Sequence, residues 1–322
     1  MTGSAHEVAE AISHARSFVV VCHEEPDPDC VGSMLAMDWG LLRLGKKSLP
    51  VSPDPMLPGL MFLPGVHRVV GPSEIGPEPE AALVLDCDVG RTGALEPILR
   101  RIPVVVNVDH HVTNPGTGDV NFVDSDASST GEMVYGILGA LGLDVEPEPA
   151  VCLYAALVTD TGSFRFSNTN SNTFQIASEL VSSGANPHVI AREIYENRPW
   201  GYMRLLGRVL ETLASTGSGK VAWAVVTNDM LRAARIGGGE VDGLVQYVRM
   251  IQGVEVALLF RELDDGQTRV SLRSRDAVDV SSLARTLGGG GHPKAAGCTV
   301  RLSLEDAKVA VISAAKGLLQ DP

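Results

Sequence analysis

The stretch IPVVVNVDHH at residues 102–111 constrains this chain more than any other: a short valine-rich run stops abruptly on an acid and two histidines. Its length and β-branched content suit a strand buried on both faces, as in a parallel sheet. Ligands of open α/β sheets gather at the carboxyl ends of the strands. The pattern therefore predicts that Asp109, His110 and His111 are delivered to a crevice and not to a core.

Three other apolar segments end in the same way. SFVVVCHEEPDPD sets His23, Asp27 and Asp29 behind a valine-rich strand, AALVLDCD sets Asp86 at the end of another, and VCLYAALVTDTGSF sets Asp160 at the end of a helix. A single acid or histidine in such a place is ordinarily a cap or turn residue. Four such segments point elsewhere, because carboxylates and imidazoles converging on one sheet edge make the donor set of a divalent cation.

At 322 residues the chain is long enough for two domains. Hydrophobic residues at 44% and charged residues at 20% describe a globular protein with enough apolar mass for real cores. The formal net charge of -13 argues against a broad basic face and against tracking along long nucleic acid, while a short anionic substrate held by cations stays compatible. The five cysteines, Cys22, Cys30, Cys87, Cys152 and Cys298, show no CxxC spacing and read as reduced thiols. With no basic leader and no apolar run of spanning length, a cytoplasmic protein without a membrane partner is expected.

Alternating strands and helices are expected over residues 1–183, a helical linker over 184–200, and a smaller mixed α/β domain over 201–322. In the first domain an opening helix near residues 5–15 precedes a strand at 17–22. A helix at 34–44 follows, with Gly32 and Ser33 at its start; free amides there could receive a phosphate, but a tight turn at Gly32 is the favoured reading. Residues 50–64 read as a proline-rich surface loop, and strands at 82–85 and 103–108 complete the parallel core. SDASSTGE at 125–132 is helix-cap chemistry, and helices are expected at 131–141, 147–159 and 173–183. In the second domain strands are expected at 220–226, 254–261 and 267–273, and helices at 242–250 and 280–287. Its one chemical stretch is TLGGGGHPKAAG at 286–297, where consecutive glycines let backbone amides approach a ligand and His292 and Lys294 follow at once.

Taken in order, these motifs resemble those of the DHH phosphoesterases: HEEPDPDCVGS the first, LDCD the second, VDHH the third and TDTGSF the fourth. GGGGHPKAAG with the upstream SLRSR is similar to the substrate-binding motif of the DHH-associated C-terminal domain. The two-domain length resembles the nanoRNase and pAp phosphatase group, whose actinobacterial relatives also act on cyclic dinucleotides. Pro28 departs from the pattern, standing where the group often has glycine.

The resemblance implies an α/β fold: a parallel-sheet catalytic domain, a helical linker and a smaller mixed α/β substrate-binding domain. It also implies two manganese ions, with magnesium a possible substitute. His23 and Asp27 would hold the first ion, Asp29, His110 and Asp160 the second, and Asp86 would bridge them. The donor types agree, since oxygens and imidazoles without a thiolate favour manganese or magnesium over structural zinc. Asp109 is implied as the carboxylate that orients a histidine, and His111 as donor or general acid to the phosphate. Arg273, Ser274, Gly289, Gly290, Gly291 and His292 are implied to bind substrate. The implied substrates are short RNA, pAp or cyclic dinucleotides; their ranking and a homodimer stay open.

Three other readings compete. Inorganic pyrophosphatases share the metal motifs but carry a different second domain without GGGGHPKAAG. A long-strand exonuclease of the RecJ type sits badly with the acidic charge. An inactive nucleotide-binding regulator is expected to have lost a ligand, because buried carboxylates are costly without a cation.

Overall fold

The structure, a computed structural model, describes residues 3–76, 79–237, 241–275 and 278–319. It divides into two units, Met1–Asn197 and Arg198–Pro322. In the first unit, β1 Ser17–Val21, β2 Lys47–Val51, β3 Ala81–Leu85, β4 Val104–Asp109 and β5 Val120–Val123 form a sheet in the order β2-β1-β3-β4-β5. Every pairing in it is parallel. Helices α1 Ala5–His14, α2 Pro28–Arg43, α3 Glu96–Leu99, α4 Thr130–Ala140, α5 Pro147–Asp160, α6 Ser171–Ser182 and α7 Pro187–Ala191 surround it.

The unbroken valine runs follow from burial on both faces. Val20, Leu83, Leu85, Val106 and Val108 pack with Met34, Leu41, Ile137 and Leu153 of α2, α4 and α5. Val19, Val21, Ala82, Val84 and Val105 pack into a second cluster with Leu95 and Leu99.

Helix α2 and strands β2 and β5 differ from the sequence expectation, β5 lying at Val120–Val123 where no strand was expected. Helix α2 begins at Pro28 and not near residue 34: Asp27 caps it through the amides of Asp29 and Cys30, and proline at the first position loses no helical hydrogen bond. Gly32 and Ser33 are thus inside the helix, and Gly32 offers no free amide to a phosphate. A strand, β2, also occupies Lys47–Val51 where a loop was expected from residue 50. Pro50 obscures it, yet proline is tolerated on an edge strand such as this one.

In the second unit, β6 Ala214–Ser215, β7 Val221–Val226, β8 Val256–Glu262, β9 Thr268–Ser274, β10 Gly290–His292 and β11 Ala295–Val300 form a mixed sheet in the order β10-β11-β9-β8-β7-β6. One face packs Leu258, Phe260, Val270, Leu272, Ala296 and Cys298 against α11 Val280–Thr286 and α12 Leu304–Leu319. On the other face Ala224, Ala257 and Leu259 of β7 and β8 meet α8 Trp200–Glu211 and α10 Val245–Arg249; α9 Asn228–Ala234 follows β7. Arg273, Ala295 and His292 are register partners across β9, β11 and β10 and so share a face.

From Gly290 the glycine run is strand β10 and not the loop expected from its composition. A Cβ on Gly289 would lie 2.1 Å from the Gly297 carbonyl oxygen, and one on Gly291 would lie 2.5 Å from that of Ala295. Close pairing with β11 therefore requires those two glycines, whereas Gly290 faces open space. Among the described residues no helix is long and apolar enough to cross a membrane.

The junction of α2, α4 and α5 is built on small residues. A Cβ on Gly32 would sit 2.4 Å from the Cys152 carbonyl oxygen, and one on Gly131 would sit 2.6 Å from the Ala156 Cβ. We predict that Gly32→Ala costs about 1–3 kcal/mol by overpacking, against a helix-propensity gain of only about 1 kcal/mol. Denaturant unfolding of the two proteins measures this, and equal midpoints would remove the packing argument.

Candidate metal centre

The strand order runs from β1 out to β2 and then back past β1 to β3, so the sheet reverses direction between β1 and β3. That reversal is where α/β sheets open a crevice at the carboxyl strand ends. His23 follows β1, Asp86 follows β3, and Asp109, His110 and His111 end β4, the next strand over. Asp27 and Asp29 enter through the start of α2, and Asp160 is the last residue of α5.

His23 and His110 are oriented alike. His23 turns Nδ1 to the Glu24 carbonyl at 2.7 Å and faces Asp86 Oδ2 with Nε2 at 3.4 Å. His110 turns Nδ1 to the Ala127 carbonyl at 3.2 Å, and its Nε2 faces Asp29, Asp86 and Asp160 at 3.6, 3.5 and 3.5 Å. A backbone carbonyl accepting from Nδ1–H leaves the Nε2 lone pair of the neutral ring for a cation. Separations near 3.5 Å are long for charged hydrogen bonds, but they suit neighbouring donors around a cation bonded at about 2.0–2.2 Å. The donor atoms of Asp29, Asp86 and His110 lie within 4.8 Å of one another, as do those of His23, Asp27, Cys30 and Asp86. The residues thus fit two adjoining cation positions that share Asp86.

Asp86 is held from several sides. Its φ of 64° is in the left-handed region, uncommon for a residue with a side chain. Its amide donates to Val108 at 3.0 Å, and Thr130 donates its hydroxyl to Oδ1 at 2.9 Å. Asp29 is buried and accepts from the amides of Thr130 and Gly131, both at 2.9 Å, at the start of α4.

His111 borders the donors, its Nδ1 3.7 Å from Asp86 Oδ1, and is held chiefly by Asp109. Asp109 takes its Nδ1 at 2.7 Å and its amide at 3.1 Å, and Asn114 steadies the second Asp109 oxygen at 2.6 Å. Asn114 is tied in turn to the buried Asn107 at 2.9 Å.

Electrostatics follow the crowding. Burial works against ionisation of Asp86, but the His23 hydrogen bond and the charges of His111 and His110 outweigh it and hold the carboxyl well below the usual range. Burial followed by the Asp86 charge pushes Asp29 well up. Burial also drives Asp160 up to about 6, with His110 pulling the other way and Asp86 adding to the rise. For His23 burial opposes the charged form, yet Asp86 and Asp27 raise it to about 10. His110 is raised against its burial to about 9 by Asp160, Asp86 and Asp29. Protons on imidazole here do what a cation would do, which is to neutralise packed carboxylates.

Six residues expected from the sequence to hold metal, His23, Asp27, Asp29, Asp86, His110 and Asp160, meet at this one edge, with Asp109 and His111 beside them. Arg273, Ser274, Gly289, Gly290, Gly291 and His292 all lie in the second unit. Ser274 is buried there and donates to the Val278 and Pro293 carbonyls at 2.7 and 3.2 Å, which places it under the hairpin turn. Sequence reasoning missed Thr130, Gly131, Asn107, Asn114 and Cys30. SDASSTGE was read as a cap alone, and Ser129 does cap α4, but the next two residues also serve Asp29 and Asp86.

Comparison with known proteins agrees with this architecture. The model of the DHH family, N-terminal domain, matches residues 17–157, and that of the DHHA1 domain matches residues 218–321. The chain is 33% identical over 317 residues to the bifunctional oligoribonuclease and PAP phosphatase NrnA of Thermus thermophilus, covering 96% of this chain and 92% of that one. It is 29% identical over 307 residues to the protein of the same name in Bacillus subtilis, covering 91% and 92%. An exopolyphosphatase-related protein from Bacteroides fragilis has a similar structure, with a TM-score of 0.89 at 25% identity, covering 98% and 97%.

A calorimetric or indicator titration tests the electrostatics. With His23 raised to about 10 and His110 to about 9, both are protonated near neutrality in the cation-free protein, whereas ligation needs neutral imidazole. We predict that adding a divalent cation at pH 7 releases protons. Raised histidines contribute stability that is full below their unfolded pKa and lost as pH climbs through those folded values, so the release should fade over the same window. No proton release at neutral pH would contradict this charge assignment.

Proposed function

The chain belongs to the DHH family, with a DHHA1 domain in its second unit, and on that premise we propose that it hydrolyses the phosphoester bonds of very short nucleotides. Our substrates are oligoribonucleotides of a few residues and pAp, with cyclic dinucleotides or their linear products as a further class, all converted to mononucleotides. The observation that carries this reading is the meeting of six oxygen and imidazole donors beside a histidine that Asp109 holds by Nδ1. The relatives named as oligoribonucleases and PAP phosphatases support the substrate class.

Within that reading, His23, Asp27 and Asp86 hold one divalent ion, and Asp29, His110, Asp160 and Asp86 hold a second. Manganese is our assignment, with magnesium as substitute, from the oxygen and imidazole donors. When bound, the pair lowers the pKa of a water and polarises the phosphoryl oxygens. The chain's own residues do the rest. Asp109 accepts from Nδ1 of His111 and orients the ring, so that in its doubly protonated form the Nε2–H donates to a phosphoryl oxygen or protonates the leaving oxygen. Asn114 keeps Asp109 from swinging away. Arg273 and His292 would grip the anionic part of the nucleotide, with Ser274 positioning the turn beneath them.

Two variants test the division of roles. We predict that Asp86→Asn loses divalent binding and turnover together with the fold intact, by more than the about 10–100-fold that removal of an orienting partner costs. Asp109→Asn should fall within that range, chiefly in kcat, with divalent affinity kept. The assay is hydrolysis of pAp and of an RNA dimer with manganese. Near-normal turnover by Asp86→Asn would sink the shared-carboxylate assignment.

A length series tests the substrate class. With a net charge of -13, each phosphate beyond the site adds repulsion and none of the counterion release a basic groove would give. We predict fastest turnover on substrates of one to a few nucleotides and a steep fall beyond. Equal rates on a dimer and on a long single strand would refute this.

A further inference from the structure

One donor at the first cation position does not belong to a hard-ion site. The Sγ of Cys30 lies within 4.8 Å of donor atoms of His23, Asp27 and Asp86, which in turn lie within that distance of one another. Cys30 is fully buried in the first turn of α2, and its thiol donates to the Asp27 carbonyl at 3.5 Å. Cys22, also buried, follows β1 and joins no such donor group among the described residues. Asp27 is exposed, so the cluster opens to solvent on one side. The other cysteines, Cys87, Cys152 and Cys298, join no such donor group among the described residues.

We propose that Cys30 is a conditional metal ligand, so that zinc(II) is held at the first position by His23, Asp27, Cys30 and Asp86 and blocks hydrolysis there. One nitrogen, two oxygens and one sulfur are a donor set that zinc takes in tetrahedral form, whereas manganese and magnesium neglect the sulfur. A zinc ion with four protein ligands has no open position, which is the mark of a structural and not a catalytic site. On binding, a sulfur–metal bond replaces the S–H bond, the proton passes to buffer, and no electron is transferred. Burial, Cys22 and the Asp27 and Asp86 carboxylates hold the Cys30 thiol well above its ordinary range, so the thiolate forms only with the cation bound.

The inhibitory part rests on the proposed hydrolysis, but the ligation does not, and the two are read separately. Cobalt(II) is added alone to the cation-free full chain, and near-ultraviolet absorption is followed for thiolate-to-cobalt charge transfer. The expected result is a band of one thiolate that is absent in both Cys30→Ser and Cys30→Ala and retained in Cys22→Ala. Circular dichroism checks that each variant is folded. No band in the native chain, a band surviving both Cys30 substitutions, or one that depends on Cys22 alone overturns the ligation. In the second arm zinc is titrated into turnover at fixed manganese, and the zinc concentration for half inhibition is expected to rise about tenfold or more in Cys30→Ser. Equal zinc sensitivity of the two forms overturns the inhibitory role. A chain that hydrolyses none of the nucleotides would refute the proposed function and leave the cobalt result standing.

Discussion

Repulsion among Asp29, Asp86 and Asp160 is the constraint around which the first unit is arranged. All three carboxylates face the Nε2 of His110 at 3.5–3.6 Å, and Asp29 and Asp86 are almost wholly buried. Carboxylates so placed separate, protonate or recruit positive charge. The chain prevents the first outcome by tying each one down from outside the cluster. Asp29 is pinned by the α4 amides, Asp86 by Thr130 and by its own amide to Val108, and Asp160 sits at the end of a packed helix beside Asn168. The left-handed backbone at Asp86 costs about 1–3 kcal/mol, and it persists because the ladder to β4 and the side-chain contacts leave that residue no other course.

This restraint explains which parts were legible in the sequence. The parallel core could be read because Val19 to Val21 and Ala82 to Leu85 are apolar on both faces, and their chemical residues come where the apolar run stops. The start of α2 could not be read from hydrophobic periodicity, since Pro28, Asp29 and Cys30 carry no apolar stripe although proline and a capping aspartate are ordinary first-turn residues. Strand β2 is hidden by Pro50, and β5 by its four-residue length and half-buried edge position.

Restraining side chains are harder to foresee than donors because they come from distant stretches of sequence. Thr130 and Gly131 lie about a hundred residues from Asp29, and what brings them there is a pair of absent side chains. With Gly32 against the Cys152 carbonyl and Gly131 against Ala156, α2, α4 and α5 approach closely enough for an α4 amide to reach an α2 carboxylate. A sequence shows the glycine but not the neighbour that would collide with a Cβ.

The second unit applies the same principle at its sheet edge. Gly289 and Gly291 are needed for the approach of β10 to β11, and that approach brings His292 into register with Ala295 and, through it, with Arg273. Alternation along a strand then decides what each residue can do. Leu272 and Ala296 point into the core under α11 and α12, so Arg273 and Ala295 must point to the opposite face. Ala295 stands in register between Arg273 and His292 on that face. Composition shows that the run is rich in glycine, but only the neighbouring carbonyls of Gly297 and Ala295 show why Gly289 and Gly291 have no side chain, and that close pairing sets the spacing of His292 from Arg273.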